Sequence, residues 1–520
     1  MSRTPRIVVV GAGVGGLAAA ARLAALGAEV EVVERAASPG GKMRAVDVGG
    51  SLIDAGPTVL TMRWVFDELF AAAGADFADA VPLKRADTLA RHFWRDGSQL
   101  DLFGQLERNV EAIRAFAGAQ EAEGYRAFAR DAERAYRALE SSFIVAERPT
   151  MPALVARILK RRPADLGAFS PFADLWSALG KYFRDPRLRQ LFGRYATYCG
   201  ASPYLASATL ILIAHVEREG VWLIDGGLRR LALALAGLAE GAGARIRYHC
   251  EISRIVVERG RARGVETSQG ERIAADAVVF NGDVGALAAG LLGDATRRAA
   301  GKPPAASLSA LTWALRAPNG AAPWRHHNVL FGDDYAQEFD AVFARNALPR
   351  DPTIYVCAQE RETGAAQGAD EPLFVLVNAP SHRPQAPLSE KEIAECEQAT
   401  SNAVGRLGLS LDLTSAVRTT PRDFAALFPG SRGALYGPPP HGWRASFQRA
   451  GARAAPPGLY LAGGTVHPGA GVPMSALSGA LAAKAAAQDL GLDLGLTGRS
   501  RPAATRGGMS TRSATTDVSG

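Results

Sequence analysis

A chain of 520 residues is longer than one hydrophobic core ordinarily organises, which predicts two domains or one domain split by insertions. With 48% hydrophobic and 21% charged residues the chain is not a disordered polyelectrolyte, and no apolar run reaches the roughly 18 residues that span a bilayer. The net charge of +7 excludes little by itself, since nucleic acid, an anionic membrane surface and plain solubility all accommodate it.

The chain leads into a strand, Arg6 to Val10, with no charged leader and apolar h-region before it, so a secretory signal is not expected and a cytoplasmic location is. Leu17 to Leu26 reads as a helix closed by Gly27, and Glu29 to Val33 as the next strand. Between the first strand and the helix stand Gly11, Gly13, Gly15 and Gly16, and Glu34 closes the second strand. In this setting Gly11 permits a tight turn, Gly13 lets backbone approach a pyrophosphate and Gly16 allows close helix packing, while the helix N-terminus offers unpaired N–H groups to the anion. Glu34 is placed to accept hydrogen bonds from ribose hydroxyls. A dinucleotide site is therefore expected, although these residues do not choose between NAD and FAD. Arg35 follows, then Gly40, Gly41 and Lys42, then the run Asp54, Ala55, Gly56, Pro57 and Thr58.

From about residue 76 to 215 the composition turns to Phe, Trp, Leu and Arg and reads mainly as helices, an inserted substrate or lid region. Within it, residues 148 to 194 carry ten Lys or Arg against three acids. Leu154, Ile158, Leu159, Phe169, Phe172, Trp176, Tyr182 and Phe183 are interleaved with those charges, a pattern that suits an anionic bilayer surface; a solvated helical face is the plainer alternative. Glycine punctuation returns at Gly220. Asp225, Gly226 and Gly227 precede a helix from about Leu228 to Glu240 and strands near Arg245 to Tyr248, Ile252 to Glu258 and Ala277 to Phe280. Residues 300 to 435 hold strand-like runs, Thr353 to Cys357 and Leu373 to Val377, between Pro-rich loops. An apolar segment then runs into Gly463 and Gly464, and a helix is expected to begin near Val472, Pro473 and Met474. His467, at a Pro-Gly turn, reads as structural or cofactor-shaping, and Gly491 to Gly520 as a disordered tail. Cys199, Cys250, Cys357 and Cys396 make neither a redox pair nor a zinc spacing, so free thiols and no metal are expected.

The paired glycines with Lys42, the run Asp54 to Thr58 and the closing Leu459 to Met474 resemble the large flavoprotein family of amine oxidases, protoporphyrinogen oxidases and carotenoid desaturases. The resemblance implies an α/β, Rossmann-type FAD-binding domain with an inserted α+β substrate domain. The FAD-binding domain would comprise residues 1–75, 220–300 and 440–490, the substrate and membrane-docking domain 76–219 and 301–439, and the tail 491–520. It further implies FAD as cofactor, with Gly41 and Lys42 along the pyrophosphate and ribityl chain and Gly56, Pro57 and Thr58 also contacting it. Ile252 would lie against the adenine, and Gly463, Gly464 and the helix opening at Val472, Pro473 and Met474 beside the isoalloxazine.

Several segments narrow the resemblance to bacterial carotenoid desaturases: Asp54 to Thr61, Phe66 to Phe70, Asp185-Pro186-Arg187, His327-Asn328, Phe331-Gly332 and the closing HPGAG. The run Val472 to Gly479, in place of the Ile-Pro-Gly usual in phytoene desaturases, together with Thr61 to Trp64, is more similar to the hydroxyneurosporene desaturases of purple photosynthetic bacteria. That branch introduces the C3,C4 double bond into 1-hydroxy or 1-methoxy carotenoids. Phytoene desaturation stays open as the alternative, and amine or porphyrinogen oxidation or a non-enzymatic escort of prenylated proteins as more distant ones. The resemblance implies hydride loss to the flavin and loss of a proton from the neighbouring carbon. That chemistry demands no strong base, so no catalytic acid or base is assigned from sequence. It also implies a carotenoid substrate collected at a membrane surface, a quinone or oxygen as electron acceptor, and no nucleic-acid partner.

Overall fold

The computed structural model describes residues 3–147, 150, 152, 156, 173–300, 305–319, 322–365, 368–408 and 411–493. The β-branched run Arg6–Val10 is a strand, Gly11 turns the chain at φ +99°, and the alanine-rich segment Val14–Ala25 is the helix that follows. Beside Arg6–Val10 lies Glu29–Val33 on one side and Ala277–Phe280 on the other, flanked in turn by Arg245–Arg247 and Leu459–Leu461. All neighbours in this five-stranded sheet run parallel.

A parallel sheet must be covered on both faces, and this one is. Ile7, Val9, Val30 and Val32 pack against the helices Val14–Ala25, Arg229–Gly241 and Val472–Leu490. The alternate residues Val8, Val33, Val278 and Phe280 pack against the antiparallel meander Ile252–Glu258, Arg261–Thr267 and Arg272–Ala274. Three distant stretches of chain therefore close around a single glycine-rich edge.

The second body is a seven-stranded sheet. Its order is Val417–Thr419, Ser309–Pro318, Asp370–Ala379, Ile354–Ala358, His327–Leu330, Thr88–Phe93 and Gln99–Phe103, antiparallel except where His327–Leu330 meets Thr88–Phe93. Leu311, Trp313, Val356 and Val375 turn one face to the helix Glu390–Gly405. Cys357 and Phe374 turn the other face to Ala55, in the loop expected to carry the cofactor. Beyond it lies a helical layer comprising Ala119–Leu139, Leu175–Leu179, Pro186–Gly193 and Leu212–Glu219, in which the rings of Phe128, Phe183 and Phe192 meet at 4.7 to 5.4 Å. The strand Leu83–Arg85 pairs antiparallel with Trp222–Ile224 where the chain crosses between the two bodies.

Two expectations need correction. Residues 76 to 215 are not mainly helical at their start: Leu83–Arg85, Thr88–Phe93 and Gln99–Phe103 are strands, the last two joined through Asp96 and Gly97, whose φ is +83°. Their pattern carries little alternation of its own, and Thr88–Phe93 is held by a partner, His327–Leu330, far along the chain. At the described end of the basic aromatic stretch the rings pack inward while Lys181 and Arg184 stay exposed. Phe183 is 1% exposed, Trp176 packs on Tyr204 and Tyr335, and the Tyr182 hydroxyl donates to Asp131. The rest of that stretch, with Arg157, Lys160, Arg161 and Arg162, lies outside the described residues, as does the tail from 494 onward.

Candidate cofactor and substrate site

The glycine loop is shaped by steric necessity. A Cβ on Gly16 would lie 2.1 Å from the Gly11 carbonyl oxygen, and one on Gly15 would lie 2.7 Å from the Gly463 nitrogen. The loop is tied to the C-terminal segment by Asn281, at the end of the strand Ala277–Phe280. Its Nδ2 donates to the Gly11 carbonyl at 3.2 Å, and its side chain fills the space beside Gly13, Gly15 and Gly463. Sequence reading missed Asn281; the signal was the Asn-Gly-Asp run closing an apolar strand.

Glu34 is 8% exposed, and each of its carboxylate oxygens accepts one backbone N–H, from Ala12 at 2.7 Å and from Ala36 at 2.8 Å. It clamps the loop, and each oxygen keeps lone-pair capacity for a ribose hydroxyl. Arg35 pairs with Glu251 at 3.5 Å and donates to the Ala426 carbonyl. Ile252, paired with Thr267, packs half-buried beside Val33 and Cys250.

Gly40 bridges to Gly13, and Gly41, at φ +58°, closes against the Gly13 backbone. A Cβ on Gly56 would meet the Lys42 carbonyl oxygen at 2.0 Å, so the two loops are pressed together. Lys42 donates to the Leu435 carbonyl at 2.8 Å; burial pulls its pKa below the ordinary lysine range against the attraction of Asp283. Pro57 and Thr58 are half-buried. The Thr58 hydroxyl meets the Tyr355 hydroxyl at 2.7 Å, and that hydroxyl meets His327 Nδ1 at 2.7 Å.

At the far end Gly463 takes φ +106°, and the Gly464 carbonyl accepts from Arg449 at 2.9 Å. Arg449 also donates to the Tyr436 and Pro438 carbonyls, and burial lowers its pKa to about 10. It was not legible in the sequence, because all its partners are backbone carbonyls. The helix Val472–Leu490 opens at Gly471, φ +122°, with no side-chain cap; Val472 and Pro473 are buried and Met474 half-buried. His467 donates from Nε2 to the Ala146 carbonyl at 2.8 Å and stands edge-on to Phe143, and burial holds its pKa down to about 4, leaving it neutral and anchored. Tyr460 donates to Asp489 from within the sheet and is no part of an aromatic cage. The four cysteines are free. Donor atoms of His326, His327 and Cys357 gather within 4.8 Å, a cluster that their sequence spacing did not announce.

This donor set fits FAD. Neither the helix that starts after Gly13 nor the one after Gly471 has a side-chain cap, which leaves backbone N–H groups for a pyrophosphate and for an electron-rich ring. Gly13, Gly41 and Gly471 keep the cradle free of side chains. Beyond it Lys42, Arg194, Tyr198, Tyr355, Tyr436 and Arg449 are half-buried, so each keeps accessible surface.

Residues 14–487 match the family model described as flavin containing amine oxidoreductase. The chain is 51% identical to the hydroxyneurosporene desaturase of Rubrivivax gelatinosus, over 99% of this chain and 98% of the relative. It is 46% identical to the hydroxyneurosporene desaturase of Cereibacter sphaeroides, over 94% of this chain and 98% of the relative. The solved structure of putrescine oxidase bound to putrescine, 12% identical, superposes with a TM-score of 0.56 over 94% of this chain and 99% of that one, a likeness of fold.

Proposed function

The chain belongs to the flavin containing amine oxidoreductases and, among them, to the bacterial carotenoid desaturases, and on that footing we propose that it is an FAD-dependent desaturase placing the C3,C4 double bond in 1-hydroxy or 1-methoxy carotenoids. The observation that carries this reading is the 51% identity, sustained over 99% of the chain, to a hydroxyneurosporene desaturase.

FAD supplies the hydride acceptor. The chain's part is to hold and aim. Gly11, Gly13, Gly15 and Gly16 seat the pyrophosphate, Glu34 and Arg35 the ribose end, and Ile252 the adenine; Gly41 and Lys42 follow the ribityl chain. Gly56, Pro57 and Thr58 form one wall of the ring site, and Gly463, Gly464, Val472, Pro473 and Met474 the other. The open helix N-terminus at Gly471 would favour negative charge on a flavin held beside it, which would make reduction easier. Residues 1–75, 220–300 and 440–490 form the FAD-binding domain in this reading, and 76–219 with 301–439 the substrate domain.

A carotenoid is delivered from a bilayer, and no described helix is long and apolar enough to cross one. We assign docking to residues 148–172, whose basic and aromatic composition suits an anionic surface, and electron transfer onward to a quinone or oxygen. The reading places the enzyme on the cytoplasmic face of a photosynthetic bacterium's membrane. The test is to supply liposomal 1-hydroxyneurosporene, 1-methoxyneurosporene and phytoene in competition and to weigh the products. Loss of two hydrogens from the oxygenated carotenoids supports the reading, and loss from phytoene alone moves the protein to the phytoene step.

A further inference from the structure

Glu217 is a buried carboxylate that cofactor binding leaves without a use. It lies on the helix Leu212–Glu219, is 8% exposed, and accepts the Tyr198 hydroxyl at 2.6 Å and the Tyr195 hydroxyl at 2.8 Å. Among the described residues no cation reaches it within 4.0 Å. A carboxylate held this way costs stability, and the costs that persist in folded proteins concentrate at functional sites.

The three residues that matter differ in where they stand. Tyr195 is sealed in the core at 4% exposure, whereas Tyr198 and Arg194 are half-buried and keep accessible surface. Arg194 donates to the Tyr198 hydroxyl at 3.3 Å, and its guanidinium stands 5.1 Å from the Tyr198 ring and 5.8 Å from the Tyr355 ring. Tyr355 is in turn bonded to Thr58 of the cofactor loop at 2.7 Å. An unbroken run of contacts thus leads from the cofactor wall through Tyr355 and Arg194 to Tyr198, with Glu217 behind it.

We propose that Tyr198, backed by Glu217, accepts the proton that leaves the substrate when the double bond forms. The proposal rests on the desaturase reading. Hydride loss from C4, taken by the flavin, leaves a substrate cation delocalised over the polyene. The C3–H bond then breaks, its electron pair becomes the new π bond, and its proton passes to the Tyr198 oxygen while the Tyr198 proton moves to Glu217. Tyr198 is unchanged at the end, Glu217 is neutral, and the negative charge has gone to the cofactor. Arg194 steadies the carboxylate before transfer and the phenol oxygen during it. A proton beside a carbocation is acidic, so a carboxylate acting through a phenol is base enough. Burial raises the Glu217 pKa above the ordinary carboxylate range, opposed by hydrogen bonds from Tyr198 and Tyr195 and by the charge of Arg194. Tyr125 on the helix Ala119–Leu139 and Arg218 on Glu217's own helix are the other titratable groups around it.

The decisive variants are Tyr198→Phe, Glu217→Gln and Glu217→Asp in FAD-loaded protein, with single-turnover product formation followed against pH. Tyr198→Phe and Glu217→Gln are expected to retain flavin and lose about tenfold or more in rate. The parent's rate should fall as pH drops through the raised Glu217 value, Glu217→Gln should lose that acid limb, and Glu217→Asp should recover part of the rate. Independently of turnover, difference infrared spectroscopy of substrate-free protein should show a carboxyl band, absent in Glu217→Gln, that titrates above the ordinary range and shifts higher in Tyr198→Phe. If Glu217→Gln loses flavin, Tyr198→Phe, which removes a single oxygen, decides. Parental rates in Tyr198→Phe, or an acid limb that persists in Glu217→Gln, overturn the relay alone. A parent that oxidises no carotenoid overturns the desaturase reading and the relay together.

Discussion

Gly16 shows how one atom can decide whether this chain binds its cofactor. A Cβ there would lie 2.1 Å from the Gly11 carbonyl, so Gly16→Ala must open the loop that we propose seats the pyrophosphate. We expect the variant to purify without stoichiometric flavin and to lose about 1–3 kcal/mol of stability, read from bound FAD and urea midpoints. Asp54 makes a second prediction. Burial raises its carboxyl to about 6, against hydrogen bonds from the backbone of Arg229 and Leu228. Because the folded-state value is the higher one, the contribution of Asp54 to stability is intact at acid pH and declines as pH rises through about 6. Asp54→Asn keeps an acceptor oxygen, and should match the parent below about pH 4 and exceed it by about 3 kcal/mol above about pH 6. At this scale the glycine loop was legible because a tight turn with closely packed backbone leaves few alternatives to glycine. Asn281, Arg449 and Tyr355 were not, since each is held by partners hundreds of residues away or by backbone carbonyls.

Among the elements, strands of the parallel sheet were the most readable: Arg6–Val10, Glu29–Val33 and Ala277–Phe280 stand where runs rich in valine place them. The strands Thr88–Phe93 and Ser309–Pro318 were not foreseen, because pairing rather than pattern fixes them, with partners more than 200 residues away for the first and in Asp370–Ala379 and Val417–Thr419 for the second. Helix packing offers a test in which two chemically identical changes have opposite signs. In Val472–Leu490 a Cβ on Gly479 would lie 2.1 Å from the Gly15 carbonyl, whereas in Arg229–Gly241 a Cβ on Gly237 would meet nothing within 4 Å. Gly479→Ala should destabilise by about 1–3 kcal/mol and loosen flavin. Gly237→Ala should stabilise by about 0.5–1 kcal/mol with flavin content unchanged. Thermal unfolding with bound-flavin absorbance reads both.

For the whole molecule, the division of labour follows from the two sheets. The parallel sheet gathers three stretches of chain around one glycine edge, and the mixed sheet packs Tyr355, Cys357 and Phe374 against Ala55. The cofactor body could be anticipated from sequence because both its ends carry motifs; the substrate body is defined by long-range pairing and could only be bounded. Docking belongs to this scale as well. Replacing Arg157, Lys160, Arg161 and Arg162 with Gln should weaken binding to anionic liposomes by about 1 kcal/mol per charge while leaving flavin bound, and unchanged liposome affinity would remove that stretch from the account. The central claim is tested most directly by anaerobic mixing of FAD-loaded protein in liposomes with 1-hydroxyneurosporene and with phytoene separately, following flavin absorbance and the carotenoid spectrum. The account predicts flavin bleaching with a red-shifted product for the hydroxylated carotenoid; bleaching by phytoene alone, or by neither, would contradict it.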